Sequence, residues 1–408
     1  MDLLQTDGGG PTCTGGGAPI TVQSDAGTWC TGTIAQVTFR FGICACSDVK
    51  VTSGDLFTDA FDSTGRADAG LGASVGANGR FLADSFFDIG GSVWAGSASG
   101  AQNDSNSSRV RQDFWSHGPV SGGGSLAVSG DAHLNGDVQT QLSVGGKLYI
   151  PAGANVGGAV NAAGGVVRGP VAMGPPCDCS ASQLIDIAGI VADGQAHNDN
   201  ALLGLDSRVF ENLPGPRRLD LPCGRYYLSR ITPGFPGTIA VHGRTAIFIG
   251  GNLDTSRANF DVAIDPQGEL DIFIGGTIIN STGMSLGNIE SPAQLRVYVA
   301  GSPVDMSAPS KTAGNYYLPN SVFSSPSNLD LYGAIFAKSF EGQGAVHYDR
   351  GVLSAGSSCG GPPGGGCSSC RDCGNQACVG GKCGACTTSS ECCAPLVCLG
   401  GLCQSQIN

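Results

Sequence analysis

One short strand pattern recurs three times at a single spacing, and few folds accommodate such a pattern. The copies read Thr245-Ala-Ile-Phe-Ile-Gly-Gly251, Leu270-Asp-Ile-Phe-Ile-Gly-Gly276 and Leu295-Arg-Val-Tyr-Val-Ala-Gly301, so equivalent positions lie 25 residues apart. A fixed period of roughly 20–50 residues marks a stacked repeat whose units bury their apolar sides only against neighbours. No helical period runs inside the unit. The expected fold is therefore all-β, a right-handed parallel β-solenoid with a short α-helical insertion and a small disulfide-rich C-terminal module.

Composition supports this reading and removes some functions. Glycine supplies 67 of 408 residues without a Gly-X-Y period, as expected for a chain that turns a corner every few residues. The formal net charge is −12, which argues against nucleic acid and anionic membrane surfaces as partners. No apolar run reaches the length of a membrane span. Eighteen cysteines suit an oxidising compartment, so an extracellular or cell-surface location is expected. The start, Met1-Asp-Leu-Leu-Gln-Thr-Asp7, shows no basic and apolar export signal.

Four segments are expected along the chain. Residues 1–24 are a Gly-rich arm, 25–352 the solenoid, 353–366 a Gly/Pro linker and 367–408 the cysteine module. Strands begin near Thr28, and Thr33-Ile-Ala-Gln-Val-Thr-Phe-Arg-Phe41 alternates like a strand. Cys30 is placed to bridge Cys44 or Cys46. Terse β-branched steps between glycines fill 125–171. An insertion at about 180–212 interrupts them, with Leu184, Ile187, Ala188 and Val191 on one helical face. Cys223 is expected to meet Cys177 or Cys179 and stitch that helix to the solenoid. The segments Asp330–Ala337 and Ala345–Asp349 read as closing strands.

Side chains alternate across a strand. With Ile247, Ile272 and Val297 in the lumen, Phe248, Phe273 and Tyr298 point outward as a ladder, and Asp271 can pair with Arg296 across coils. A strand apolar on both faces is usually covered on both, so the helix from Leu184 to Val191 is expected over the rings. The alternatives are an inverted phase, or a platform of Phe248, Phe273 and Tyr298 on which sugar faces stack; these three are the candidate ligand-binding residues.

No catalytic constellation emerges. At the 25-residue period Asp254 aligns with Ile279 and Asp271 with Arg296, so no stack of carboxylates forms. His197-Asn-Asp-Asn200 and His347-Tyr-Asp349 read as a cap and a satisfied strand end. No cofactor and no metal is called for, and an enzyme is not the favoured expectation. In the tail Cys373, Cys378 and Cys383 recur 20 residues later as Cys393, Cys398 and Cys403, with Cys386 and Cys392 between. Such density suits a small disulfide knot. The spacing of Cys367, Cys370 and Cys373 also suits zinc, but the module has no histidine.

Several blocks, among them Pro175-Pro-Cys-Asp-Cys179, Leu219-Asp-Leu-Pro-Cys-Gly-Arg-Tyr-Tyr227 and Leu331-Tyr-Gly-Ala-Ile-Phe336, resemble an uncharacterised family of exported bacterial proteins of myxobacterial type. The closing portion resembles a domain of unknown function found on surface and pilus-associated proteins. The coils at 125–171 are similar to those of bactofilin-type solenoids, and the tail to dickkopf-like and knottin-like modules. The resemblance implies a surface solenoid and transfers no catalytic residue. The functional expectation is an extracellular structural or adhesive surface protein that assembles end to end into a homopolymer or filament. The alternative is a β-helix protein that binds glycan or degrades polysaccharide, with a surface glycan or cell-wall component as partner.

Overall fold

A computed structural model describes residues 20–24, 27–65, 70–157, 159–280, 282–305, 311–355, 370, 377–393, 396–399 and 401–404. The described chain is a parallel β-solenoid of about 12 turns. Each coil contributes a strand to each of three walls, and a lumen of Ile, Leu, Val, Phe and Ala runs through the stack. The three repeats stack in the expected register, with Phe248 beside Phe273 and Phe273 beside Tyr298.

Order along the chain is not order in space. Strand Gly224–Leu228 starts one wall, followed by Arg244–Ile249, Glu269–Ile274 and Leu295–Val299. The extended run Lys311–Asp349 then turns through further coils, with Gly314, Gly333 and Gly344 at positive φ along it. Its residues Ile335 to Ala337 pair in parallel with Ile43–Ala45, and Phe340 to Asp349 pair with Val49–Phe61. The N-terminal coils therefore continue the stack from the C-terminal half. The expected closing strands are instead the joint between the halves. Lumen residues Ile335, Phe340 and Val346 are all buried against Ile43, Val49 and Leu56, and that apolar contact is the reason the chain does not end there.

This order sets the course of the connection. The wall pairs Cys44–Gly76, Gly76–Trp94, Trp94–Trp115, Trp115–His133, His133–Tyr149 and Tyr149–Val167 carry the stack away from the joint. At ~4.8 Å per rung, those six steps span about 29 Å. From Gly169 the chain returns to the joint at Cys177, and about 8 residues cover that distance only when nearly extended. Cys177 is bonded to Cys44 and Cys179 to Cys46, with Cα–Cα distances of 5.8 and 5.4 Å. The sequence-based pairings of Cys30 with Cys44 or Cys46, and of Cys223 with Cys177 or Cys179, are thus replaced. The returning strap reaches the joint before it reaches the coil that holds Cys223. Cys30 and Cys223 are each engaged in a disulfide.

Helix α1, Thr31–Thr38, occupies a segment that alternates like a strand. Tertiary packing overrides the pattern: Ile34 and Ala35 are buried, and Phe39 just beyond the helix lies 6.0 Å from Tyr298. Helix α2, Ile187–Ala196, begins three residues later than the expected face, with Asp186 accepting a hydrogen bond from the Gly189 N–H as its N-cap. A short helix α3, Asn200–Leu203, follows. In the tail Ala377–Val379 pairs with Lys382–Gly384, and Val397–Leu399 with Leu402–Gln404, as two antiparallel hairpins. Gly380 and Gly381 hold the positive φ that a two-residue hairpin turn requires.

Candidate functional site

The ring ladder is longer than three rungs and divides into a covered and an uncovered stretch. Phe248 stacks on Phe273 at 5.6 Å and Phe273 on Tyr298 at 4.7 Å. Tyr317 and Phe336 extend the row to the joint. Phe248, Phe273 and Tyr298 are fully buried, in one apolar cluster with Ile187, Ile190 and Val191 of α2 and Phe39. Helix α2 crosses so closely that a Cβ at Gly194 would overlap the Phe248 ring. The cover expected from the sequence is present, and it leaves no face of these three rings open to a sugar.

Past the joint the outward positions are Cys44, Gly76, Trp94, Trp115, His133 and Tyr149. Gly76 leaves room for Phe41 and Pro176 where the strap passes. Trp94, Trp115, His133 and Tyr149 are half-buried and stack within 3° of parallel, with Trp115 and His133 at 3.6 Å. Sequence reasoning missed this row because its period shortens from coil to coil. The rings face one another and offer only edges to solvent, which suits solenoid packing better than sugar stacking. Desolvation lowers the pKa of His133, against Asp113 and Asp131, so it is an uncharged rung at neutral pH.

Two histidines each bridge two carboxylates. His242 faces Asp265 at 2.8 Å through Nδ1 and Asp220 at 3.0 Å through Nε2. His347 faces Asp59 at 2.7 Å and Asp330 at 3.2 Å, with its ring centroid 4.5 Å from Tyr332. The hydrogen bond to Asp265 raises the His242 pKa, and that to Asp59 raises the His347 pKa. With both nitrogens engaged, neither imidazole is free to take a proton from a substrate. His347 clips the joint, since Asp59 belongs to the N-terminal coils and Asp330 to the C-terminal ones. Asp349 is fully buried and accepts hydrogen bonds from the Ser63 N–H and hydroxyl, the Ala293 N–H and the Gly351 N–H. The block His347-Tyr-Asp349 therefore holds a structural position.

The charged pair expected across coils exists and is deeply buried. Arg296 donates from Nε and Nη2 to the two oxygens of Asp271, each at 2.8 Å, and from Nη1 to Glu269 at 3.0 Å and to the Ala293 carbonyl at 3.1 Å. Arg244, with Nε 3.5 Å from Glu269, supplies the second positive charge, so two arginines match two carboxylates, which is the condition for burying ions.

The two ends of the stack differ. At the first coil two strands have an edge facing away from the stack. Arg217–Leu221 pairs only with Gly237–Val241 among the described residues, whereas the edge of Gly224–Leu228 is engaged by the chain before it. The Arg225 N–H donates to the Asp199 carboxylate at 2.8 Å and the Arg225 carbonyl accepts from the Asp199 N–H at 2.7 Å. Asn200 repeats the exchange with Tyr227, at 3.0 and 2.7 Å. Asp199 and Asn200 thus occupy the place of a further strand, and Leu203, Leu205 and Val209 pack on the lumen core below. The block His197-Asn-Asp-Asn200 is this cap. At the last coil Val160–Ala162 and Val166–Arg168 pair on one side only among the described residues. Val156, Val166 and Val167 are 39%, 49% and 40% exposed there.

In the tail Cys386 pairs with Cys398, Cys392 with Cys403 and Cys370 with Cys393, and Cys378 is also disulfide-bonded. The sulfurs of Cys386, Cys392 and Cys403 lie within 4.8 Å of one another, but each is consumed in a disulfide and none is a thiolate for a metal. Cys373 and the Cys383 side chain lie outside the described residues.

Residues 178–353 match the model of a domain of unknown function (DUF7305). The match starts just after Cys177, on the strap, and ends in the 3-10 helix Arg350–Ser354. It therefore takes in the helical cover, the cap and the C-terminal coils, with the N-terminal coils stacked beyond. No curated protein and no solved structure matches the chain. No helix among the described residues is long and apolar enough to cross a membrane.

Proposed function

We propose that this protein is an extracellular structural surface protein, a disulfide-locked rod capped at one end and self-associating through the other. The observation that carries the reading is the contrast between the ends. Backbone groups on an exposed strand edge seek partners, and the edge at Gly224–Leu228 is already satisfied by Asp199 and Asn200. The edges at Val160–Ala162 and Val166–Arg168 are not engaged by the described chain. Strand Arg217–Leu221 at the capped end also pairs on one side only among the described residues. It exposes Arg217, Arg218 and Asp220, however, and charges on an edge oppose strand pairing, so the apolar open end is left as the one joint per molecule. A single self-complementary joint closes as a twofold pair, whereas filaments need two different joints. The disulfides and the buried ion cluster suit a load-bearing part in an oxidising space.

Size-exclusion chromatography with light scattering, alongside electron microscopy of the same sample, tests the proposal. Paired rods that dissociate on dilution are expected. Val160→Lys with Val166→Lys, which places like charges on both copies of the joint, is expected to leave single rods with an unchanged circular dichroism spectrum. Single rods of the parent protein at its highest soluble concentration, or open filaments, would contradict the reading.

A further inference from the structure

The whole chain has 21 lysines and arginines against 33 aspartates and glutamates, yet three arginines converge on one cleft beside the cap. The cleft, of about 360 Å³, lies between the cap loop and the first two coils and is lined by Arg208, Arg230 and Arg257 together with Asn212, Thr232 and Ser256. Glu211 and Asp254 complete its rim. Its size falls at the lower end of small-ligand clefts, about 300 Å³ and above.

Glu211 organises the basic side. It accepts a hydrogen bond from the Ser229 hydroxyl at 2.7 Å and lies 3.2 Å from Arg230 Nε and 3.7 Å from Arg208 Nε. Both arginines are thus held by their inner nitrogens, and no acceptor among the described residues takes their outer ones. Arg257 is exposed and has no ion-pair partner among the described residues. Asp254 is occupied in accepting from the Ser256 N–H at 2.8 Å. The side chains of Asn212, Thr232 and Ser256 make no hydrogen bond within the described chain. Three guanidiniums less two carboxylates leave one net positive charge, fit for a single acid group. Around that charge stand hydroxyl and amide groups, and no aromatic ring lines the cleft.

We propose that this cleft binds an acidic sugar unit, with its carboxylate on the guanidinium forks of Arg208, Arg230 and Arg257 and its hydroxyls on Asn212, Thr232 and Ser256. Planar guanidiniums match a carboxylate with two parallel hydrogen bonds. The cleft is short and the rest of the molecule carries net negative charge, so the fit is to a terminal or single unit of a polyanionic glycan, since a long acidic stretch is repelled beyond the cleft. The site is independent of the open end and of self-association there.

Titration calorimetry on the full chain with D-galacturonate, D-galactose and inorganic phosphate tests this, with Arg257→Gln and Arg208→Gln variants alongside. Saturable binding of galacturonate is expected, at least about tenfold tighter than galactose or phosphate and weakened about tenfold by R257Q. R257Q removes an exposed side chain, so circular dichroism and the melting temperature are expected to match the parent. Equal binding of galactose would remove the acid recognition, and phosphate binding as tight as galacturonate would make the cleft a bare anion site. Unchanged affinity in both variants, or no saturable galacturonate binding, would overturn the proposal outright.

Discussion

Arg296 and Asp271 are 1% and 2% exposed, so their charges have no recourse to water. Asp271→Ala leaves a buried guanidinium with Glu269 alone, and a loss of about 3–5 kcal/mol is expected. Pairing Asp271→Leu with Arg296→Met removes both charges and is expected to recover most of it; denaturant titration of the three proteins checks both statements. His347 works in the opposite regime. Its folded pKa is raised above the ordinary value of 6.5 by Asp59 first and Asp330 with it. It therefore contributes stability that is full below the unfolded pKa and is lost as pH rises through the folded one. Denaturation midpoints between about pH 6 and pH 9 are expected to fall with pH, and His347→Asn is expected to flatten part of that slope. His242 keeps its own share. An unchanged slope in the variant would remove His347 from the joint's energetics. Of these residues the Asp271–Arg296 pair was legible from a fixed period alone. The partners of His347 were not, because Asp59 lies 288 residues away in sequence and no local pattern reports such a contact.

Helix α2 depends on a single missing methyl group for its approach to the rings. Gly194→Val would press side-chain atoms into Phe248, and overpacking of this kind costs about 1–3 kcal/mol. The expected result is a lower melting temperature, with Trp94, Trp115 and Tyr149 unaffected. The element's existence followed from Leu184, Ile187, Ala188 and Val191, and its face only in part. Ile187 and Val191 are buried, but Ala188 is exposed, Leu184 precedes the helix, and the buried Ile190 was not on the expected face. Its start did not follow, because Asp186 caps it and the chain before is held as strap by Cys177 and Cys179. For α1 the two-residue alternation misleads. Its apolar residues pack in the cluster outside the lumen, beside the 3-10 helix Arg350–Ser354, rather than in a sheet, and a strand period and a short amphipathic helix are hard to separate over eight positions. The rings at 94, 115, 133 and 149 escaped notice since their spacing shrinks from 21 to 18 to 16 residues.

At the scale of the whole molecule the stack order decides everything else. A solenoid rung reads alike wherever it sits, so the sequence reveals the rungs and hides which coil follows which. The C-terminal half has a raw end at Ile335, Phe340 and Val346 once the N-terminal coils are removed. A fragment of residues 178–353 is therefore expected to self-associate or precipitate, whereas a stable monomeric fragment would show that the N-terminal coils are not its continuation. The cysteine bridges that tie strap to joint close loops of 133 residues each. The first is worth about 4–5 kcal/mol in the loop-entropy account and the second, nested beside it, much less.

Those bridges also give the most direct test. Trypsin cuts after Arg40, Lys50, Arg168, Arg208, Arg218 and Arg225, which places Cys44 and Cys46, Cys177 and Cys179, and Cys223 on three separate peptides. Non-reducing mass spectrometry of the native protein is expected to find peptide 41–50 linked to peptide 169–208, with 219–225 absent from that species. Linkage of 169–208 to 219–225 would mean that the strap is stitched near its own coil, and the inverted stack with its single open end would fall with it.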